Sequence, residues 1–298
     1  MPNCYTKYIS MKTLLLFAVL FSINSAFAQT IHNRLNFSQE QNLTITRDVK
    51  TTISQLANGQ SIDFNVEGSA THAYKVTNLT NDNITLRNTP LRIQFTFEGM
   101  GQKRPFDSDN EKDMEGPLGK PIKETLKKTY DMIIDPSGKV LMTQPEKIEE
   151  AEMDERMKLV AAMLKDLLSV VHPPAKGSSS LFGIMPAKPV AAGETWSANY
   201  ENETGKYAET YTLKEINDTA YIILLDGTSS TTSKLEIMAG MEVITTLNNK
   251  TTGTIIIDKN SGILRRQDTV TESTGTTAGF GGETPVTSRS IINTKVLF

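Results

Sequence analysis

Short runs of alternating or aliphatic residues, each closed by Asn, Asp, Gly or Pro, recur along nearly the whole of this 298-residue chain. On one side of a single helical segment they read "QSIDFNV", "HAYKVTNL", "NITLRN", "LRIQFTFEG" and "KTYDMIID". On the other they read "ETWSANY", "AETYTLKEI", "AYIILLDGT", "MEVITTL", "GTIIIDK", "GILRRQDTV" and "IINTKVLF". A period of two sends alternate side chains to one face, and turn residues join neighbours without long connections, so antiparallel strands are the expected product. One phrase occurs twice: Ile133-Ile134-Asp135 precedes "PSG", and Ile256-Ile257-Asp258 precedes "KNSG". Pro136 presets a turn position and Gly138 accepts the left-handed conformation that closes a hairpin, so each phrase reads as a hairpin corner. Two further matches keep the same order. "GQSIDFNV" from Gly59 sits against "GETWSANY" from Gly193, and "YKVTNLTNDNITL" from Tyr74 against "YTLKEINDTAYIIL" from Tyr211. The expectation is an internal duplication, giving two sheet halves of similar plan.

The segment between them changes period. Met153, Met157, Val160, Leu164, Leu167 and Val171 follow the three-four spacing of one helical face, widened by Met163 and Leu168. Thr143 and Pro145 suit a helix start, acidic residues crowd the first turns, and Pro173 and Pro174 stop it. The fold expected is α+β: a first β-rich half over 29–144, a central amphipathic helix over 145–172, a linker over 173–191, and a second β-rich half over 192–298. The helix would pack between or against two similar antiparallel sheets. The Gly-rich stretch "STGTTAGFGGETP" reads as a mobile loop joining the last two strands.

From Met11, "MKTLLLFAVLFSINSAFAQT" carries a lysine behind the methionine, an apolar run from Leu14 to Ile23 and the triplet Ala26-Phe27-Ala28. This is the layout of a cleavable secretory leader over 1–28, with Met11 as initiator. The run is too short for a permanent anchor. The expected product is exported, soluble in the periplasm or outside the cell after cleavage near Ala28, with no integral membrane segment. Cleavage removes Cys4, Lys7 and Lys12, leaving 29 basic against 34 acidic residues, a net charge of −5 and no cysteine. No basic excess is present to neutralise phosphates, which argues against a nucleic-acid partner. An outer-membrane barrel is not expected either, because the runs are short, polar and interrupted by a helix.

Catalytic patterns are sparse. His32, His72 and His172 have no spaced partners of the kind that build metal sites or nucleophile-base pairs, so no cofactor is expected and the chain leans away from enzymes. In "FDSDNEKDMEG", Asp107, Asp109, Glu111 and Asp113 alternate like oxygen ligands for calcium, although the glycine and distal acid of the standard loop are missing. The bland alternative is a solvated insertion between strands. Methionine adapts its shape to varied apolar partners, so Met153, Met157, Val160, Met163, Leu164 and Leu167 could line an apolar groove; ordinary core filling is the competing reading. Trp196 reads as a core anchor. Asp218-Thr219-Ala220 and Asp268-Thr269-Val270 resemble a short O-glycan acceptor motif, which marks Thr219 and Thr269.

Taken together, the leader, "GQSIDF", "YDMIIDPSGKV", the helix and "MPAKPVAAGETWSANY" resemble an uncharacterised secreted family of Bacteroidota, a domain of unknown function. The resemblance covers most of the mature chain and implies no activity. The general plan is also similar in shape to periplasmic lipoprotein-carrier folds. The function expected is that of an exported, non-catalytic envelope protein binding an apolar small molecule or an envelope protein partner. The alternatives are a structural or interaction module with no small-molecule site, and an enzyme using Asp107 or Asp109.

Overall fold

The computed structural model describes residues 30–31, 34–57, 59–99, 101–148, 155–202, 204–238, 241–279 and 282–298; the expected leader lies outside the described residues. The elements run β1 (Thr30–Ile31), β2 (Asn42–Ala57), β3 (Gln60–Leu79), β4 (Ile84–Gly99), β5 (Gln102–Asp107), α1 (Glu111–Met114), α2 (Gly119–Leu126), β6 (Tyr130–Ile134) and β7 (Val140–Gln144). They continue with α3 (Glu155–Met163), α4 (Lys165–Leu168), a 3-10 turn (Ser169–Val171), β8 (Val190–Ala191), β9 (Thr195–Asn202), β10 (Gly205–Ile216), β11 (Ala220–Met238), β12 (Met241–Asp258), β13 (Leu264–Gly279) and β14 (Gly282–Leu297). Twelve strands make one sheet in the order β7-β6-β4-β3-β2-β14-β13-β12-β11-β10-β9, with β5 paired to β4.

This corrects the expected α+β arrangement of two sheet halves around a long helix. The described residues are mostly strand, with little helix. The two strand-rich regions are one sheet because β14 pairs with β2 from Val286↔Gln55 to Leu297↔Thr44. The central helix is also corrected. Among the described residues it is a nine-residue α3 and a four-residue α4 separated at Leu164, and it lies against one face of the sheet. Leu164, Leu167, Val170 and Val171 pack on Val49, Val66, Ala70, Ile93 and Phe95. The acidic insertion is likewise structured: it supplies β5, α1 and α2, with Phe106 and Ile122 buried in the same cluster.

The strands are far longer than the apolar runs that announced them. β3 has 20 residues, β11 19 and β12 18. The Gly-rich stretch read as a loop is mostly strand, since β13 runs to Gly279 and β14 begins at Gly282. Threonine's branched Cβ favours extended backbone, but hydroxyl residues on both faces leave no hydrophobic alternation to read.

The twice-used phrase forms a corner at the end of β6 and another at the end of β12. Asp135 Oδ1 accepts from the Ser137 amide (2.8 Å) and hydroxyl (2.6 Å); Asp258 Oδ1 accepts from the Ser261 amide (2.8 Å) and hydroxyl (2.9 Å). Each aspartate thus closes its own turn. Residues 34–37 bridge the corners: the Leu35 amide donates to the Pro136 carbonyl (2.9 Å) and the Asn36 amide to the Ser261 carbonyl (2.8 Å). Gly262, at φ 69°, is required there, because a Cβ would lie 2.6 Å from the Arg34 carbonyl oxygen. The sheet is therefore curled at this end around an apolar cluster drawn from both regions, including Ile45, Leu86, Ile134, Phe182, Leu213, Ile223 and Ile257.

Midway along the strands, polar groups are buried inside the curve. The Tyr74 and Tyr130 hydroxyls lie 2.8 Å apart, and burial raises both phenols above their ordinary values. His72 Nδ1, Arg47 Nε and both amide atoms of Asn88 are buried without a hydrogen-bond partner among the described residues. Burial first, and the Arg47 charge second, pull the His72 imidazole down to about 3.

Two outcomes follow from this packing. Leu167 is 0% exposed, so Leu167→Ala should destabilise the protein by about 2–5 kcal/mol in chemical denaturation. His72 titrates at 6.5 when unfolded and about 3 when folded. The unfolded state therefore takes the proton first as pH falls. The contribution of His72 to stability is therefore full above pH 6.5 and is lost as pH falls towards 3, by at most about 1.4 kcal/mol per pH unit. Melting curves from pH 7 to pH 4 should fall more steeply for the wild type than for His72→Gln.

Candidate functional site

Beyond the apolar end, the inner face of the sheet changes chemistry. Strict pairing sets inward residues side by side across strands. One row places Thr51, Ser290, Thr271 and Thr251 opposite one another on β2, β14, β13 and β12. The next places Ile53, Ser288, Ser273, Asn249, Ser229 and Tyr207 together, ending at Tyr200 on the edge strand β9. Ala162, Met163, Lys165 and Asp166 face these rows from α3 and α4. The space between is a cavity of about 400 Å³.

Most of the floor is internally paired. Thr51 and Ser290 hydroxyls lie 2.8 Å apart, Ser290 Oγ donates to Asp166 Oδ2 (2.9 Å), and Thr251 and Thr271 hydroxyls lie 2.9 Å apart. Asn249 Nδ2 donates to Ser229 Oγ (2.9 Å) and Thr231 Oγ1 (3.2 Å). Ser273 differs: it is 8% exposed, lines the cavity, and its hydroxyl has no hydrogen-bond partner among the described residues. The helix is pinned over this floor by polar links. Arg47 Nη1 donates to Ser169 Oγ (2.6 Å), which donates to the Asp166 carbonyl (2.8 Å).

At the rim, Tyr200 and Tyr207 stack with ring centroids 4.6 Å apart and planes 7° from parallel. Tyr200 remains 46% exposed. Burial, then the Glu209 charge, raise its phenol to about 12. The Tyr211 hydroxyl donates to Glu209 Oε2 (2.6 Å), fixing that carboxylate beside the tyrosine pair. Trp196 stacks on Tyr211 at 5.4 Å, and its Nε1 donates to the Ile184 carbonyl (3.2 Å) at the margin of the apolar cluster.

The residues singled out from the sequence are dispersed. Met153 and the Met157 side chain lie outside the described residues. Leu164 and Leu167 are core residues, Val160 is half-buried beside them, and Met163 lines the cavity. In the acidic loop, Arg92 Nε and Nη2 donate to both Asp107 oxygens (3.1 and 2.6 Å), holding that carboxyl below its usual value. Asp109 also lies on Arg92 (3.0 Å), and Asp113 Oδ2 accepts from the Asp107 amide (2.9 Å), while Glu111 is exposed. Among the described residues, no group of three or more His, Cys, Asp or Glu side chains is arranged to hold a metal ion. A wider groove beside this loop, about 800 Å³, is lined by Asp48, Lys50, Glu67 and Asp107. Thr219 is exposed in the turn before β11, whereas Thr269 is buried on the inner face. His172 is exposed, and His32 lies outside the described residues. The floor residues escaped attention because serine and threonine at alternate positions look like surface; their one signal was strand-forming residues without apolar alternation.

Among solved structures, the chain is similar to one titled for lipid-protein interactions in lipovitellin, at 11% identity and a TM-score of 0.43. That likeness covers 86% of this chain and 25% of the other, so this chain spans a quarter of the lipovitellin chain's length. It is similar more distantly to the COG4313 outer membrane channel from Pseudomonas putida F1, at 8% identity, a TM-score of 0.22, and 90% and 99% coverage. No curated protein matches it. No helix among the described residues is long and apolar enough to cross a membrane. A protein-family profile described as a family of unknown function (DUF6263) matches residues 81–264, more than half of the sequence, and the chain belongs to that family.

Proposed function

We propose that this is an exported, non-catalytic binding protein that encloses a small polar ligand between α4 and the hydroxyl rows of the sheet. The observation that carries the reading is a cavity of about 400 Å³ walled by hydroxyl side chains, in which Ser273 Oγ has no hydrogen-bond partner among the described residues. A ligand hydrogen bond to that hydroxyl would replace one to solvent, for a net gain of about 0.5–1.5 kcal/mol. The volume falls within the range of about 300–1,000 Å³ usual for small-molecule sites. Asp166 and Glu209, the cavity's carboxylates, are each held by a neighbouring hydroxyl, an arrangement that fixes geometry. The leader from Met11 to Ala28 supports export to the periplasm or beyond.

The methionine stripe favoured an apolar ligand, but Leu164 and Leu167 are engaged in packing and the cavity floor is polar. A protein partner is the second reading. It rests on Leu141 and Met142, both exposed on the edge strand β7, where unpaired backbone groups can accept another strand.

Native mass spectrometry of protein purified from the periplasm tests the first reading. The wild type should retain a small molecule. Ser273→Leu, which fills the cavity and removes the hydroxyl, should lose it or bind it at least tenfold more weakly, with an unchanged melting temperature. A wild type that carries nothing, or binding that survives the substitution, refutes the assignment. A co-purifying protein lost on Met142→Lys would support the second reading instead.

A further inference from the structure

We propose that β9 is a self-association edge: two copies of the chain pair antiparallel through it, Ala198 against Ala198 on a twofold axis, so that their sheets run on as one. The strand, Thr195–Asn202, ends the sheet. It pairs with β10 on one side, from Thr195↔Thr212 to Asn202↔Gly205, without a shift of register. Among the described residues no backbone hydrogen bond crosses its other side. Alternate residues of an antiparallel ladder turn both amide and carbonyl to the same neighbour, so about four of the eight residues present unpaired groups outward. Sheets usually guard such an edge with a proline, a lysine, a bulge or a covering segment. Among the described residues β9 has none of these. The opposite edge has two. The pairing of β7 with β6 is bulged between Ile133 and Ile134, and the Val140 amide donates to the Ser178 carbonyl (2.9 Å) while its carbonyl accepts from the Gly177 amide (2.8 Å).

The residues of β9 also match themselves. Antiparallel partners share a face, so a twofold at Ala198 sets residues 195–201 opposite 201–195 of the second copy. On the inner face Tyr200 then meets Trp196 of the second copy. Each ring already stacks on its own partner in β10: Tyr200 on Tyr207 at 4.6 Å and 7°, Trp196 on Tyr211 at 5.4 Å and 13°. Tyr207 lies between Tyr200 and the cavity floor, so the exposed side of Tyr200, a residue 46% accessible, faces the second copy. A further ring there repeats the same cross-strand contact. A twofold at Asn199 would set Tyr200 opposite Ala198 and lose it. On the outer face Ser197 meets Asn199, and Thr195 meets Glu201. Glu201 is the one charged residue of the strand; it lies 3.5 Å from Lys206 and meets no second carboxylate across the axis. Like charges directly opposite would have opposed the pairing. A twofold contact uses both β9 edges, so association stops at two, whereas β9 on β7 would leave a free edge at each end and continue as a fibre. The pairing does not depend on what the cavity holds.

Sedimentation velocity of the mature chain tests the pairing, from about 1 to 200 μM because one strand pair is a small interface. A monomer–dimer equilibrium is expected. Ser197→Lys with Asn199→Lys, at two exposed positions of the outer face, sets lysine against lysine across the axis and should weaken the dimer tenfold or more with an unchanged circular-dichroism spectrum. Ser197→Lys with Asn199→Glu sets opposite charges there and should restore it. Cys4 lies within the expected leader and no other cysteine is present, so a single introduced thiol reports the register. Under a mild oxidant Ala198→Cys should give a disulfide-linked dimer, and Thr195→Cys should not. A chain that stays monomeric at every concentration overturns the proposal. So does a dimer indifferent to the paired lysines, one linked through Thr195→Cys and not through Ala198→Cys, or growth of open polymers in place of dimers.

Discussion

β14 hydrogen-bonds to β2 along its length, from Val286↔Gln55 to Leu297↔Thr44, so the last long strand of the chain lies against the first. Each of the two meanders would otherwise end on an exposed strand with unpaired backbone groups. Their union instead makes one sheet wide enough to curl. The curl is held where the two aspartate-capped corners meet residues 34–37, and the apolar cluster beneath draws side chains from β2, β4, β6, β11 and β12 alike. Neither meander could bury those residues alone.

The same strands then extend past the region that stability requires. At one end their inward residues are Ile, Leu, Val and Phe; at the other they are Ser, Thr and Asn, with α4 held across the middle. α4 acts in two ways. Leu164 and Leu167 seat it on the apolar middle of the sheet, while Asp166, one residue from Leu167, is fixed by Ser290 over the polar floor. A change in how the helix sits would therefore alter both the core and the cavity roof. Buried polar surface of this kind contributes little to stability, and sites of function are where proteins tolerate such local conflict.

Much of the strand framework was legible in the amino acids. The repeated Ile-Ile-Asp phrases each form an aspartate-closed corner, because an aspartate that bonds the amides ahead of it and a glycine that takes positive φ are local chemistry. The similarity was carried too far in being read as two sheets. Turn wording says nothing about which strand lies next to which, and β2 finds β14 across most of the chain. Of the helical stripe read over 145–172, the described Leu164, Leu167 and Val171 do form a buried face, on short helical pieces instead of one long helix. What covers that face is a matter of tertiary packing, and its partners proved to be Val49, Val66 and Ile93 on one side of a single sheet.

By itself the sequence determined the alternation, the turns, the absence of a cysteine beyond Cys4 and the leader-like segment, since each depends on residues near one another in the chain. The tertiary structure alone decided that the halves fuse into one curled sheet, and that rows of Ser, Thr and Asn drawn from five strands face a common cavity. A hydroxyl side chain carries the same pattern whether it meets water or lines an enclosed site. The difference arises only when strands distant in sequence are set side by side and a helix closes the space above them.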